Sequence, residues 1–176
     1  NAHKALAELE KMGFLKHVIT QNIDGLHQMA GNKSVIELHG NQRGFICLDC
    51  EKSYSIKEVI NMLKEDELDL RCEICGGIIK PTVVFFGESM PEKELTMAQK
   101  IANECDLMLV IGTSLQVEPA ASIPRIAYKS GAKLIFINKA ETDCDWMAEI
   151  IFYDSAGKVF ENIIDTIWKI EINPEF

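Results

Sequence analysis

Leu107-Met108-Leu109-Val110-Ile111-Gly112-Thr113-Ser114, or LMLVIGTS, runs five apolar residues straight into a Gly-Thr-Ser turn. A strand without alternation is the kind buried on both faces of a parallel sheet. The neighbouring segments agree. Before it, Pro91 suits the first turn of a helix reaching about Glu104; after it, Ala120 to Lys129 has a helical pattern with Pro124 near its start. Lys133 to Ile137 is a second apolar strand, Glu149 to Tyr153 a shorter one, and Lys158 to Ile170 an amphipathic helix. Strands and helices thus alternate from Val83 onward, which predicts an α/β fold built on a parallel sheet.

Further towards the start, Ala5, Leu6, Leu9 and Met12 repeat at helical spacing over Ala2 to Met12, ending near Gly13. His17 to Thr20 and Ser34 to Leu38 read as short strands. Arg43 to Cys47 and Ile78 to Lys80 read as strands flanking a polar stretch, within which Ile56 to Glu65 is helical. Val83-Val84-Phe85-Phe86 reads as a compact apolar strand stopped by Gly87, with at least one of the two phenylalanines in the core. Of 176 residues, 47% are hydrophobic, and the mean hydropathy of +0.02 fits a globular core. Twenty-seven acidic residues against 18 basic ones give a net charge of −9, which argues against binding to a nucleic-acid backbone. No apolar run approaches the ~20 residues that span a bilayer, and no signal-peptide pattern opens the chain. Neither nucleic acid nor membrane is expected as a partner, and a cytoplasmic location is expected.

Cysteine spacing carries the strongest chemical signal. Cys47-Leu48-Asp49-Cys50 and Cys72-Glu73-Ile74-Cys75 are two C-x2-C pairs with 21 residues between Cys50 and Cys72. Each pair places two thiolates on one tight turn, and two such knuckles complete a tetrahedral Zn²⁺ shell. Gly76-Gly77 supplies the permissive backbone a knuckle needs. Four thiolates leave no open coordination position, so one such Zn²⁺ is structural. Two disulfides, or cysteines that merely pack, are the alternatives; packing is the better reading for the lone Cys105 and Cys144.

Weaker signals lie at strand ends. Gly112, Thr113 and Ser114 offer backbone N–H groups and hydroxyls beyond a strand's carboxyl end, where ligands of open α/β sheets bind. The amide of Asn138 ends the next strand comparably and could read ribose hydroxyls. In Val18-Ile19-Thr20-Gln21-Asn22-Ile23-Asp24-Gly25 a β-branched strand stops at amides and a carboxylate. His39, in Glu37-Leu38-His39-Gly40, has the pKa class of a base near neutral pH, although a lone histidine is more often structural.

Taken together and in order, TQNIDGLHQMAG (Thr20 to Gly31), ELHG (Glu37 to Gly40), the two C-x2-C pairs, VVFFGESMP (Val83 to Pro91), GTSLQVEPAA (Gly112 to Ala121) and Ile137-Asn138 closely resemble the sirtuins, the NAD-dependent protein lysine deacylases. The resemblance covers nearly the whole chain. It implies a Rossmann-like parallel sheet with a small zinc-ribbon domain inserted, with the NAD-binding domain at 1–42 and 81–176 and the zinc-binding domain at 43–80. It also implies NAD as cofactor, one structural Zn²⁺, and acyl-lysine proteins or peptides as partners.

The resemblance likewise assigns roles. Asn22 and His39 would be catalytic, Asn22 orienting the ribose or a water at its reactive carbon and His39 acting as general base. Gln21 would bond a ribose hydroxyl, Ile23 would pack on the nicotinamide and Asp24 would hold its carboxamide. Gly112, Thr113, Ser114, Asn138 and Ala156 match positions that contact the cofactor. Val84, Phe85, Phe86, Gly87, Glu88 and Val117 match positions along the substrate peptide, paired by added-strand recognition. In the family's chemistry the acyl oxygen displaces nicotinamide from the ribose, the histidine then takes a proton from a ribose hydroxyl, and water releases lysine and O-acyl-ADP-ribose.

One element departs from the family pattern. A glycine-rich Gly-Ala-Gly turn followed by Ser, and a Pro-Asp-Phe-Arg stretch, have no counterpart before Gly13. The sequence therefore reads as the C-terminal majority of a sirtuin, and the isolated chain is expected to be inactive. The alternative function is a truncated, non-catalytic zinc-containing module that only binds a partner.

Overall fold

A computed structural model describes residues 1–65 and 70–172. The chain divides into two compact units. The larger takes in Asn1–Ile19, Leu26–Ile36 and the chain from Lys93 onward, and the smaller takes in Thr20–Gly25 and Glu37–Glu92.

In the larger unit, β6 (Leu107–Ile111), β7 (Lys133–Ile137) and β8 (Ile150–Phe152) form a parallel sheet in that order. Between β6 and β7 the chain returns through α5 (Ser122–Lys129), whose Ile123, Pro124 and Ala127 are buried. Pro124 falls in the first turn, where its missing N–H costs nothing. The Rossmann-like pattern of parallel strands with covering helices is therefore present. The helices α1 (Ala2–Lys11) and α6 (Ala156–Ile172) share one core: Leu6 and Leu9 pack with Ile137, Val159 and Phe160.

Glu10 ties α1 to the turn that follows α2 (Leu26–Ala30). Its carboxylate accepts from Asn32 Nδ2 at 2.6 Å and from the backbone N–H groups of Lys33 and Ser34 at 3.1 and 2.9 Å. Burial pushes this carboxyl up, but the Asn32 amide and the two backbone donors outweigh it and hold the pKa below its usual value.

In the smaller unit, β3 (Gly40–Cys47) is central, with β4 (Ser53–Ser55) and β5 (Ile79–Val83) antiparallel on either side. Pro81 is tolerated because β5 is an edge strand. A capping box starts α3 (Ile56–Glu65): Glu58 Oε2 accepts from the Ser55 N–H at 2.7 Å, and the Glu58 N–H donates to Ser55 Oγ at 3.3 Å. The remaining elements are β1 (Val18–Thr20) and β2 (Val35–Glu37), which pair with each other, and α4 (Glu92–Glu104).

Three expectations need correction. The apolar stretch from Val83 to Phe86 is not a strand. Instead β5 ends at Val83, because the Phe85 N–H bonds to Glu88 Oε2 at 2.9 Å and Gly87 takes φ +88°, closing a turn. Neither phenylalanine is core: Phe85 is 51% exposed and Phe86 fully so. Finally, β6 is not buried on both faces. Only Val110 is buried, because β6 lies at the edge of its sheet among the described residues. The helix α2, five residues long, was not anticipated at all.

Glu10→Gln should lower stability at pH 7 by about 1–2 kcal/mol, the scale of a charged hydrogen-bond network at a half-exposed site. The folded pKa lies below the unfolded one, so this contribution is fully present above about pH 4.5 and is lost as pH falls through the folded value. Urea melts at descending pH should show the gap between the two proteins closing below pH 4.5. A gap that persists unchanged would contradict the clamp.

Candidate functional site

The segment after β1 is held by its own backbone. The Asn22 N–H donates to Thr20 Oγ1 at 3.0 Å, and the Ile23 carbonyl accepts from the Gln42 N–H at 3.2 Å. Asn22 and Asp24 are exposed; Gln21 and Ile23 are half-buried.

His39 is fixed beside them. Its Nδ1 lies 3.0 Å from the Gln21 carbonyl oxygen. A carbonyl only accepts, so Nδ1 carries a hydrogen, and in the neutral ring the lone pair falls on Nε2. That is the tautomer a general base requires, set here by main chain. Gly40 follows with φ +69°, and a Cβ there would collide with the backbone carbonyl of Thr82. Only glycine lets β3 and β5 approach so closely at this point. The Thr82 hydroxyl donates to the carbonyls of Asn41 and Gly44 at 3.0 and 3.2 Å. The His39 carbonyl in turn accepts from the Val84 N–H at 2.9 Å, which joins this histidine to the start of the Val84–Glu88 turn.

That turn is braced by Lys80, a residue the sequence reading did not single out. Its Nζ reaches both Glu88 oxygens at 2.5 Å and the Val83 carbonyl at 3.3 Å, and lies 4.8 Å from the centre of the Phe85 ring. Lys80 and the Phe85 N–H together hold the Glu88 carboxyl below its usual pKa. Gln21, Asn22, Ile23, Asp24, His39 and Val84 to Glu88 thus all fall within the smaller unit.

The other candidate residues belong to the larger unit, at the carboxyl ends of parallel strands. The Gly112 N–H donates to the Ile137 carbonyl at 3.0 Å, with Gly112 at φ +61°. Asn138, 6% exposed, exchanges two bonds with Thr113: Oδ1 accepts from its N–H and Nδ2 donates to its carbonyl, both at 3.0 Å. The amide oxygen and one N–H of Asn138 therefore shape the Gly112–Ser114 turn. Thr113 Oγ1 accepts from the Leu115 N–H at 3.2 Å, while Ser114 and Val117 are exposed. Ala156 is the first residue of α6.

The four cysteines of the two pairs converge. Their sulfur atoms all lie within 4.8 Å of one another, with Cys47–Cys75 and Cys50–Cys72 at 3.5 Å. A tetrahedral Zn²⁺ with bonds of about 2.3 Å separates its sulfurs by ~3.8 Å, so this spread fits the ion. All six cysteines are free thiols, which removes the disulfide alternative. At Gly77 a Cβ would strike Asp49 and Cys47 Sγ, so the knuckle has room only for glycine. The Tyr54 hydroxyl holds Cys72 down to about 6. Cys75 is pushed up to about 12, because the Gly77 N–H that favours its thiolate is outweighed by Cys50 and Cys47 beside it. Thiols with such opposed tendencies do not all ionise without a cation among them. The four cysteines are positioned to hold one structural zinc ion.

The family model described as "Sir2 family" matches residues 1–119. The NAD-dependent protein deacetylase of Thermodesulfovibrio yellowstonii is 81% identical over 95% of this chain, which spans 65% of that protein's own length. The solved structure of Sir2 bound to acetylated peptide is 41% identical, with a TM-score of 0.90, covering 94% of this chain and 69% of that one. A Sir2–p53 peptide–NAD⁺ structure gives 0.89 at the same identity, covering 94% and 68%. Among the described residues, no helix is long and apolar enough to cross a membrane.

Purified protein should contain one zinc per chain by elemental analysis. Cys72→Ser should abolish that content and melt the smaller unit, because metal binding and local folding are coupled. Zinc-free protein with unchanged stability would refute the centre.

Proposed function

The chain belongs to the Sir2 family, and on that premise we propose that it forms the greater part of an NAD-dependent protein lysine deacylase. NAD supplies a ribose carbon that takes up the acyl group as nicotinamide leaves. The observation carrying this reading is the His39 tautomer. With Nδ1–H held by the Gln21 carbonyl, Nε2 is the available base. In this reading His39 removes a proton from a ribose hydroxyl, Asn22 and Asp24 orient the nicotinamide-ribose end, and Gln21 and Ile23 support them. Gly112, Thr113, Ser114, Asn138 and Ala156 are the further cofactor-contacting positions in this reading. Val84 to Glu88 and Val117 receive an acyl-lysine peptide or protein, with Lys80 keeping the Val84–Glu88 turn in shape. The relatives' names, which are those of deacetylases and deacylases, support the reaction class. Six free thiols are in keeping with a cytoplasmic location, which we include in the proposal.

In the protein at the full length of its relatives, an acetyl-lysine peptide should be deacetylated only when NAD is supplied, releasing nicotinamide. His39→Ala should slow deacetylation by roughly 10²-fold or more, the scale of a positioned base. Nicotinamide release in the same variant should fall less, since the histidine acts afterwards. Equal loss of both, or no loss, would remove His39 from that role; zinc-replete protein without NAD-dependent turnover would favour a binding module.

A further inference from the structure

β4 places a tyrosine directly against the metal centre. Tyr54 pairs with Phe45 across the β3–β4 ladder, and two residues beyond Phe45 the central strand delivers Cys47. The ring packs in the smaller unit's core with Cys47, Val59, Cys72 and Ile79, and only 4% of the residue is exposed. Its hydroxyl points at sulfur: Tyr54 Oη donates to Cys72 Sγ at 3.0 Å. Lys52 Nζ lies 4.7 Å from the centre of the same ring and pairs with Glu73, the residue after Cys72.

A phenylalanine would fill this space equally well, so packing alone does not call for the oxygen. Four thiolates around one Zn²⁺ carry a net charge of −2, held in a unit whose buried core is small. Charge of that kind needs donors aimed at the sulfurs, and outer-sphere partners of metal ligands both orient them and tune the metal. A hydroxyl that is buried and donates to a ligand sulfur meets that need.

We propose that Tyr54 is a positioning residue of the metal centre: its hydroxyl hydrogen-bonds the Cys72 thiolate, disperses part of the centre's charge and slows loss of the ion. The proposal rests on the tetrathiolate reading of Cys47, Cys50, Cys72 and Cys75. Lys52, over the ring face, sharpens the phenol as a donor by drawing its electron density towards the cation.

The test uses the whole chain loaded with zinc, and separately with Co²⁺ as a spectroscopic substitute. Tyr54→Phe should transfer zinc to a chromophoric chelator about tenfold more readily, the lower end of the range for outer-sphere changes. The sulfur-to-cobalt charge-transfer band should move to longer wavelength, since a thiolate relieved of its hydrogen bond gives up electron density more easily. 3-Fluorotyrosine incorporated in place of Tyr54 is a stronger donor of nearly the same size, and should move the band the opposite way. That second protein decides the matter if the phenylalanine variant does not fold. Band positions and zinc transfer that match the unaltered chain in both proteins would overturn the role of Tyr54. Failure of the unaltered chain to hold zinc or cobalt would overturn the metal centre itself, a separate and recognisable result.

Discussion

The closeness of four sulfurs is the constraint on which the smaller unit depends. The buried cluster around these sulfurs is small: Cys47, Tyr54, Val59, Cys72 and Ile79, with Phe45, Met62 and Leu70 packed against it. A core of this size contributes little stability by burial alone, and small domains of this kind are commonly cross-linked by a metal. The cross-link acts at the end of β3, through Cys47, and beside β5, which begins four residues after Cys75. With that end of the ladder fixed, the register Ile46↔Lys80 and Cys47↔Ile79 follows. Beyond a shift of register between Gly40 and Phe45, the other end pairs Gly40 with Val83, and the His39 carbonyl accepts from the Val84 N–H. The zinc site and the histidine are thus linked along one pair of strands, although the metal takes no part in the chemistry proposed.

In the larger unit the equivalent constraint is a side-chain amide. Asn138 closes two hydrogen bonds on Thr113 from the end of the neighbouring strand, as a backbone partner would if β6 and β7 continued. The parallel sheet stops pairing at Ile111 and Ile137, yet the turn beyond it stays defined. Ligand loops at the carboxyl ends of parallel strands need this: they must leave the sheet without becoming loose.

Legibility in the sequence followed the range of the interaction. The parallel sheet, its crossover helix and the cysteine pairs depend on local periodicity or spacing, and all were readable. The strand at Ile78 to Lys80 is legible at the start of β5, but apolar content also favours a strand from Val83 to Phe86, whereas the chain there obeys Lys80 and Glu88, eight residues apart and without a pattern. The five-residue α2 is too short to show a period. Tyr54 reads as an ordinary strand aromatic until its oxygen is found on sulfur. The position of Asn138 at a strand end is legible, but its two bonds to Thr113 depend on strand pairing that no linear spacing reveals. The His39 tautomer is equally invisible, since it depends on a carbonyl 18 residues away.

The geometry of the Val84–Glu88 turn bears on how an added strand would bind there. Strand addition usually supplies bonds to an open edge. Here the Val84 N–H already serves the His39 carbonyl, and Phe85 has both main-chain groups engaged with Glu88: its N–H on Oε2, its carbonyl on the Glu88 N–H. A peptide pairing along Phe85 exchanges existing bonds for new ones, so the net gain per bond falls below the usual ~1 kcal/mol. Affinity for such a peptide then lies more with exposed side chains. Phe86 is fully exposed, and the Phe85 ring is stacked under Lys80. On the proposed reading Lys80 would have two opposed effects: keeping the turn in one shape for a peptide, and holding in place the bonds that strand addition must displace.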